Sequence, residues 1–458
     1  MKTNRQQLLQ LLADRVMTSR ELVRELGISQ PTLSRLINTM QNEIVVMGKG
    51  RATCYGLPNK PGQEFNRLPV YSIDAKGDVH PYGQLTPLQG GQYWWQSIAC
   101  SGEISHQLPW QIQDLLINGY CARTFALRYG DYLKLSPRVT DWTEEDMLIA
   151  TSRCGEDRPG NLILGEESLA RYFELVRNPP ELIEPGSQTH EYPQLALKTL
   201  ARETTPLQLS GEQPKFSVCL NERGAPCWML VKFSPAADSK EARRYADLLV
   251  CEHLALEAIR LAGLNAARSR LVISGNQTFL CIKRFDRRGL FGRLPAISLR
   301  ALHTRIQEPC DDWVSAATRL QKQGIIPLSE AGKLHWLALF SDMIGNANQH
   351  FGNISFLPHG KDNFLLAPAY GMRPTIYEPL AGEIPARLFT PPSLRKEAEA
   401  QLVNARQAAL LFWKSAAIDE RISEGFRQVC FENCELLQLQ ERGAKNSQPG
   451  QDFFINKD

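Results

Sequence analysis

Long apolar runs are missing from this chain of 458 residues. Nothing in it approaches the roughly 18 uninterrupted apolar residues of a membrane-spanning helix, so no membrane partner is expected. The opening MKTNRQQLLQLLADR sets polar and apolar residues at helical spacing and lacks the apolar block of a secretory signal. A cytoplasmic location is therefore the expectation. Closely paired cysteines are missing too. Eleven cysteines are scattered along the chain with no CxxC among them. That pattern suits buried free thiols in a reducing compartment better than a zinc site or a disulfide framework. Strong overall charge is the third absence, for a net +3 says little about partners.

What charge there is lies unevenly. Residues 1–60 carry nine Lys/Arg against four Asp/Glu, a net +5 that leaves the remainder near −2. A small basic module joined to a near-neutral body points to nucleic acid. With 43% apolar and 22% charged residues the chain is globular, and its length calls for several domains.

The basic module reads as a winged helix-turn-helix. QQLLQLLADR forms one helix. TSRELVREL begins a second, with Thr18 and Glu21 spaced as a capping box and Gly27 at its end. SQPTLSRLINTM begins a third, capped by Ser29 with Pro31 in the first turn, where a missing N–H costs little. Leu22, Val23, Leu26, Ile28, Leu33, Leu36 and Ile37 suffice for one small core. The third helix offers Gln30, Thr32, Ser34 and Arg35 to DNA, with Gln30, Thr32 and Arg35 aimed at base edges. NEIVVMGKGRATCYGL then reads as strand, basic glycine turn and strand, a wing that sets Lys49 and Arg51 against phosphates. A helical protein-interaction module with an incidental basic surface is the competing reading. One such module reads little sequence, so a dimeric or multivalent form is expected.

PNKPGQEFN at 58–66 is a linker by composition. Between 67 and 200, short strands with glycine turns and helical fragments carry no catalytic constellation. In residues 207–235, FSVCL and CWMLVKF read as a hairpin. Ser210, Gly211, Glu212, Gln213 and Lys215 lie around the loop before it, and Lys232 lies near its end. Loop amides and a strand lysine are groups that hold nucleotide phosphates, although a surface turn beside an exposed lysine is the commoner cause of such a pattern. Glu252, on the following long helix, is placed to pair with Lys232. CIKRF follows as a segment whose backbone suits an adenine edge. Finally, LFSDMIGNANQHFGNISFL at 339–357 sets Asn348, His350 and Asn353 between apolar segments, where phosphoryl transfer ordinarily calls for an aspartate.

SGEQPKF, VKFSP, CEHLALEAIRLAGLN, IKRFDRR, GNANQHFGN and LAPAYG, in this order, resemble the HipA-like serine/threonine kinases from about residue 67 to 435. The added N-terminal winged helix resembles the stand-alone YjjJ (HipH) branch of that toxin–antitoxin family. The resemblance implies a multidomain α+β protein: a winged helix-turn-helix at 1–60 followed by a two-lobed, protein-kinase-like fold. Within it, 67–200 is expected as the HipA-like N-terminal subdomain, 201–290 as small lobe and hinge, 291–440 as helical C-terminal lobe and 441–458 as a tail. It implies ATP and Mg2+ as cofactors, Ser210 as an autophosphorylation site and Lys232 as the phosphate-contacting lysine. Gly211, Glu212, Gln213 and Lys215 fall in the ATP-side loop, Lys283 to Phe285 in the hinge, and His350 beside the phosphates. Asn353 matches a magnesium-binding asparagine. Expected partners are duplex DNA, an aminoacyl-tRNA synthetase or another translation component as protein substrate, and an antitoxin or a second copy of the chain.

Two departures stand at the centre of that resemblance. The family's catalytic aspartate falls at Asn348, and its metal-binding aspartate at Gly371. An amide preserves size and accepts a hydrogen bond but cannot take a proton, and glycine offers no side-chain ligand. Asp286, Asp342 and Asp362 are the nearby acids, none at the required position. Two function classes follow: a HipA-like kinase toxin impaired at these positions, or a non-enzymatic pseudokinase acting as a DNA-binding regulator. A nuclease would need a carboxylate cluster, and none stands out.

Overall fold

The computed structural model describes residues 4–59, 67–98, 102–117, 119–201, 213–306, 308–360, 362–380, 382–392 and 399–446. They are mixed α+β and divide into two compact units. The first contains the described residues of Met1–Pro180 with Asp286–Pro295; the second contains those of Glu181–Thr205, Gln213–Phe285 and Ala296–Asp458.

In the first unit, helices Asn4–Asp14, Ser19–Leu26 and Gln30–Asn38 bury Leu8, Leu12, Leu22, Leu33 and Ile37 in one small core. Thr18 accepts from the Glu21 amide while Glu21 accepts from the Thr18 amide, closing the capping box. Ser29 caps the third helix through the Thr32 amide. The wing strands Val45–Met47 and Cys54–Gly56 pair antiparallel, and Met17–Thr18 adds on the far side of the latter.

The wing does not stand free. Val45 and Met47 turn their alternate side chains inward and bury against Leu88 and Trp94. Those two belong to a five-stranded antiparallel sheet running Glu103–Ser105, Gln92–Ser97, Val79–Leu88, Leu68–Ile73, Leu162–Leu164. The Val16 amide donates to Gln92 Oε1 at 2.8 Å across the same seam. Gly90 sits there with φ +75°, so close that a Cβ would lie 2.3 Å from the Asp14 carbonyl oxygen. Glu144–Cys154 and Glu166–Arg177 cover the sheet with Leu148, Leu169 and Tyr172. Asp286–Pro295 joins this unit through charge. Arg287 meets Asp157 at 2.6 Å and Asp286 at 2.8 Å, and the Arg293 amide donates to the Asp74 carbonyl at 2.8 Å.

The second unit holds a four-stranded antiparallel sheet in the order Ser269–Ser274, Gln277–Lys283, Ala225–Phe233, Lys215–Glu222. Phe216, Met229, Val231, Phe233 and Phe279 line one face, against Tyr192 and Ala196 of helix Gln188–Leu200. Leu230, Leu280 and Ile282 pack with Leu249 of helix Lys240–Leu261. The remaining helices, Trp313–Lys322, Leu328–Met343, Glu399–Ile418 and Glu424–Asn446, fill their interior with wholly buried Trp313 and Trp413. Trp413 Nε1 donates to the Met343 carbonyl, which secures the end of the helix from which the 344–353 loop departs.

The seam between wing and sheet gives a paired test. Gly90→Ala adds an αL penalty and a backbone clash, together about 2–5 kcal/mol. Gly91→Ala shares the positive φ (+67°) with nothing within 4 Å. It should cost only about 1–2 kcal/mol. Denaturant melts of the full chain read both; equal losses would contradict the close approach at Gly90.

Candidate functional site

Side chains alternate along a strand. In Ala225–Phe233, the odd residues Met229, Val231 and Phe233 face the aromatic side. Lys232 therefore shares a face with Leu230, toward helix Lys240–Leu261. That helix turns Leu248, Leu249, Glu252 and Leu256 inward, and Glu252 has no exposed surface. Lys232 Nζ meets its two carboxylate oxygens at 2.6 and 2.8 Å. Burial pushes the Lys232 ammonium below its ordinary value; Glu252 opposes the shift, and the nearby Arg373 adds to it.

Arg373 is the residue that sequence reasoning missed. Its guanidinium lies 3.7 Å from Glu252, donates from Nη1 to Gln213 Oε1, and donates from Nη2 to Glu378 at 2.9 Å. Gln213, Lys232, Glu252 and Arg373 thus form one buried polar cluster, of which the sequence reading named Gln213, Lys232 and Glu252. The available signal was a cation two places after Gly371. Lys215 is buried on the adjoining strand, directly opposite Lys232 in register. Lys283 ends its strand as an exposed side chain 3.5 Å from Glu222, and Phe285 lies beside the Tyr370 ring. Ser210, Gly211 and Glu212 lie outside the described residues.

The 344–353 loop is held by amides. Buried Asn346 accepts from the Asn348 amide at 3.1 Å and from the Thr375 hydroxyl at 3.2 Å, and Thr375 in turn accepts from the Ala347 amide at 2.8 Å. Asn353 Nδ2 donates to the Asn348 carbonyl at 2.7 Å. Asn348 itself is exposed. His350 accepts from the Gly352 amide through Nδ1, so the proton of its neutral ring sits on Nε2. His350 is exposed, and what burial it has, with a smaller push from Arg300, lowers the imidazole below its ordinary 6.5.

This arrangement does not fit a magnesium site built on carboxylates. Gly371 has φ +71°, and among the described residues nothing lies within 4 Å of where a Cβ would stand. Asn353 has committed its amide nitrogen, leaving one side-chain oxygen. Among the described residues no three His, Cys, Asp or Glu side chains come together. Asp342 accepts from Gln349 at 2.5 Å, Asp286 is bound by Arg287, and Asp362 is exposed in a turn. On the helix-turn-helix, Gln30, Thr32, Ser34 and Arg35 are exposed. Thr32 exchanges a hydroxyl contact with Ser29 at 2.9 Å, so part of its capacity serves the cap. Lys49 is exposed at the wing turn and Arg51 falls in its short 3-10 segment, Gly50–Ala52.

Comparison with known proteins agrees with this architecture. Residues 2–43 match the bacterial regulatory protein family of the arsR type, 64–173 the YjjJ-like toxin middle domain, and 207–430 the HipA-like C-terminal domain. The Escherichia coli K12 toxin YjjJ is 30% identical over 439 residues, spanning 93% of this chain and 96% of that one. The chain belongs to the HipA-like toxin family, in its YjjJ-like branch. Among solved structures, a Shewanella oneidensis HipA, from a complex with HipB and operator DNA, aligns with TM-score 0.46 and 16% identity, over 82% of this chain and 97% of that one. The Helicobacter pylori kinase CtkA aligns with TM-score 0.35 and 13% identity, over 50% of this chain and 95% of its own.

Two outcomes follow for this HipA-like site. Lys232→Met leaves Glu252 facing Arg373 alone, at 3.7 Å, and should cost up to about 3 kcal/mol of stability, much of it regained when Glu252→Leu is added. His350 contributes through its neutral form. The unfolded chain takes up its proton near pH 6.5 and the folded chain only lower, so that contribution is present above pH 6.5 and declines below it. The difference in stability between the parent and His350→Asn should shrink from pH 7 to pH 5; a constant difference would contradict this reading.

Proposed function

We propose that this HipA-like protein binds DNA through its winged helix and binds ATP in its kinase-like body without transferring the phosphoryl group efficiently. One observation carries the proposal. The Lys232–Glu252 pair is intact and buried, while Asn348 and Gly371 occupy the positions where the family resemblance expects acids. In phosphoryl transfer, positioning and charge do most of the work: a lysine steadies the phosphates, one carboxylate orients the attacking hydroxyl, and another holds magnesium. Lys232 supports the first role here. The Asn348 amide can accept a hydrogen bond from a hydroxyl but gains nothing by taking its proton, and Gly371 contributes no ligand. His350 does not substitute, because its Nδ1 lone pair is already committed to the Gly352 amide. Among the described residues, the Asn353 side-chain oxygen and magnesium-borne water are what this site offers a metal. Lys283 to Phe285 are the proposed adenine-side segment, and Gln213 and Lys215 the proposed phosphate-side residues. An aminoacyl-tRNA synthetase or other translation component is then a target to be bound, and an antitoxin or second copy a partner for DNA regulation.

With labelled ATP and magnesium, mass spectrometry should find no phosphate on the chain, Ser210 included, nor on added cytosolic protein. ATP should still bind, and Lys232→Met should weaken binding by about tenfold or more, the loss of one charged hydrogen bond. Stoichiometric phosphate on Ser210 would overturn the proposal. Duplex DNA should bind with steep salt dependence. Arg35→Ala should cost about 1–3 kcal/mol and relax specificity, while Lys49→Ala should lower the salt slope by about one with no change in specificity. Arg35→Ala binding with unchanged affinity and specificity would reject the base-edge assignment.

A further inference from the structure

We infer that Arg373 is a built-in cation that replaces magnesium in binding a nucleoside triphosphate, so that this site takes the nucleotide free of metal. The inference rests on the proposed ATP-binding reading and adds to it a specific ligand form.

Three observations carry it. The first is the misfit with magnesium described above: no side chain at Gly371, an amide at Asn348, and no trio of metal-binding side chains among the described residues. The second is the position of Arg373. From two residues beyond the vacated acid, its guanidinium reaches the same Glu252 that grips Lys232, so two cations meet one carboxylate. It is 8% exposed, and its Nε is buried with no hydrogen-bond partner among the described residues. The third is the nature of its contacts. Glu378 holds Nη2 at 2.9 Å, a charged partner that keeps the guanidinium in place. Nη1 donates to the neutral amide oxygen of Gln213 and lies at the longer 3.7 Å from Glu252. Gln213 is the contact that an anion displaces most cheaply, because a phosphate oxygen offers Nη1 a charged acceptor in place of a neutral one. Nη1 and Lys232 Nζ would then hold the phosphates between them.

The chemistry suits polyphosphate. A triphosphate without metal carries several repelling charges, and an arginine is fixed in its charged state with planar donors matched to phosphate oxygens. A carboxylate at 371 would bring in magnesium; without it, a fixed cation is the remaining way to neutralise the γ- and β-phosphates. Such a cation binds but does not bridge attacking and leaving oxygens, which agrees with binding without turnover.

Calorimetry of the full chain with ATP tests this, once in excess EDTA and once in magnesium. The inference expects affinities within about threefold of each other, and an Arg373→Met loss of at least about tenfold in EDTA, the scale of one charge-assisted contact. Arg373→Lys should recover part of it, as a point charge without the fork. Binding in magnesium but not in EDTA would overturn the role of Arg373 and leave the ATP-binding reading standing. No binding under either condition would overturn both. Should Arg373→Met fail to fold, the EDTA comparison on the native chain decides alone, since a metal requirement there contradicts a built-in cation.

Discussion

Glu252 is a wholly buried carboxylate, and its burial is tolerable because Lys232 meets both its oxygens while Arg373 lies 3.7 Å away. That constraint orders much of the second unit. It fixes which face of Ala225–Phe233 turns to helix Lys240–Leu261, and with the face it fixes the strand register. A one-residue slip would bring Val231 to the carboxylate and leave it uncompensated. The same carboxylate draws Arg373, and through Arg373 it connects Gln213 and Glu378. A buried pair of this kind stabilises little against an apolar alternative. The proposed role of the pair is therefore to hold phosphate and not to stabilise the fold.

The loop at 344–353 holds its shape with amides and hydroxyls. Asn346, Thr375, Asn353 and the Asn348 backbone close a hydrogen-bonded frame. None of those bonds uses a carboxylate, so the frame is ordered without one. Against the aspartate that the family resemblance expects at 348, the amide brings neither charge nor proton affinity to this loop. Gly371 differs. Its positive φ costs glycine nothing, and no described residue lies within 4 Å of where its Cβ would stand. Aspartate is among the few residues that tolerate such a backbone, so the conformation is compatible with the residue the family resemblance expects there.

The elements that were legible beforehand are those written in local code. Thr18, Glu21 and Ser29 announce two helix starts by capping chemistry alone, and the structure forms both caps. The hairpin carrying Lys232 shows in its β-rich strands, and strand alternation sets the lysine opposite a helix. Arg373 was missed because its partners Gln213 and Glu252 are remote in sequence, so a cation two places after Gly371 was the only local cue and gave no hint of them. The seam joining Val45 and Met47 to Leu88 and Trp94 was hidden for a similar reason. Each strand reads correctly by itself, but period-two alternation does not say which sheet a buried face will meet. Long-range pairing of the same kind carries Asp286–Pro295 into the first unit, where Arg287 meets Asp157, 130 residues earlier, and Asp286 accepts from the Gly160 amide.

The central claim is that a sound kinase frame has been silenced at two positions. The most direct measurement is phosphoryl transfer from labelled ATP by the Asn348→Asp, Gly371→Asp double variant, run beside the parent chain with magnesium present. The account predicts transfer by the double variant at least about a hundredfold above the parent, the lower end of what a positioned catalytic carboxylate contributes. A folded, ATP-binding double variant as inert as the parent would contradict it.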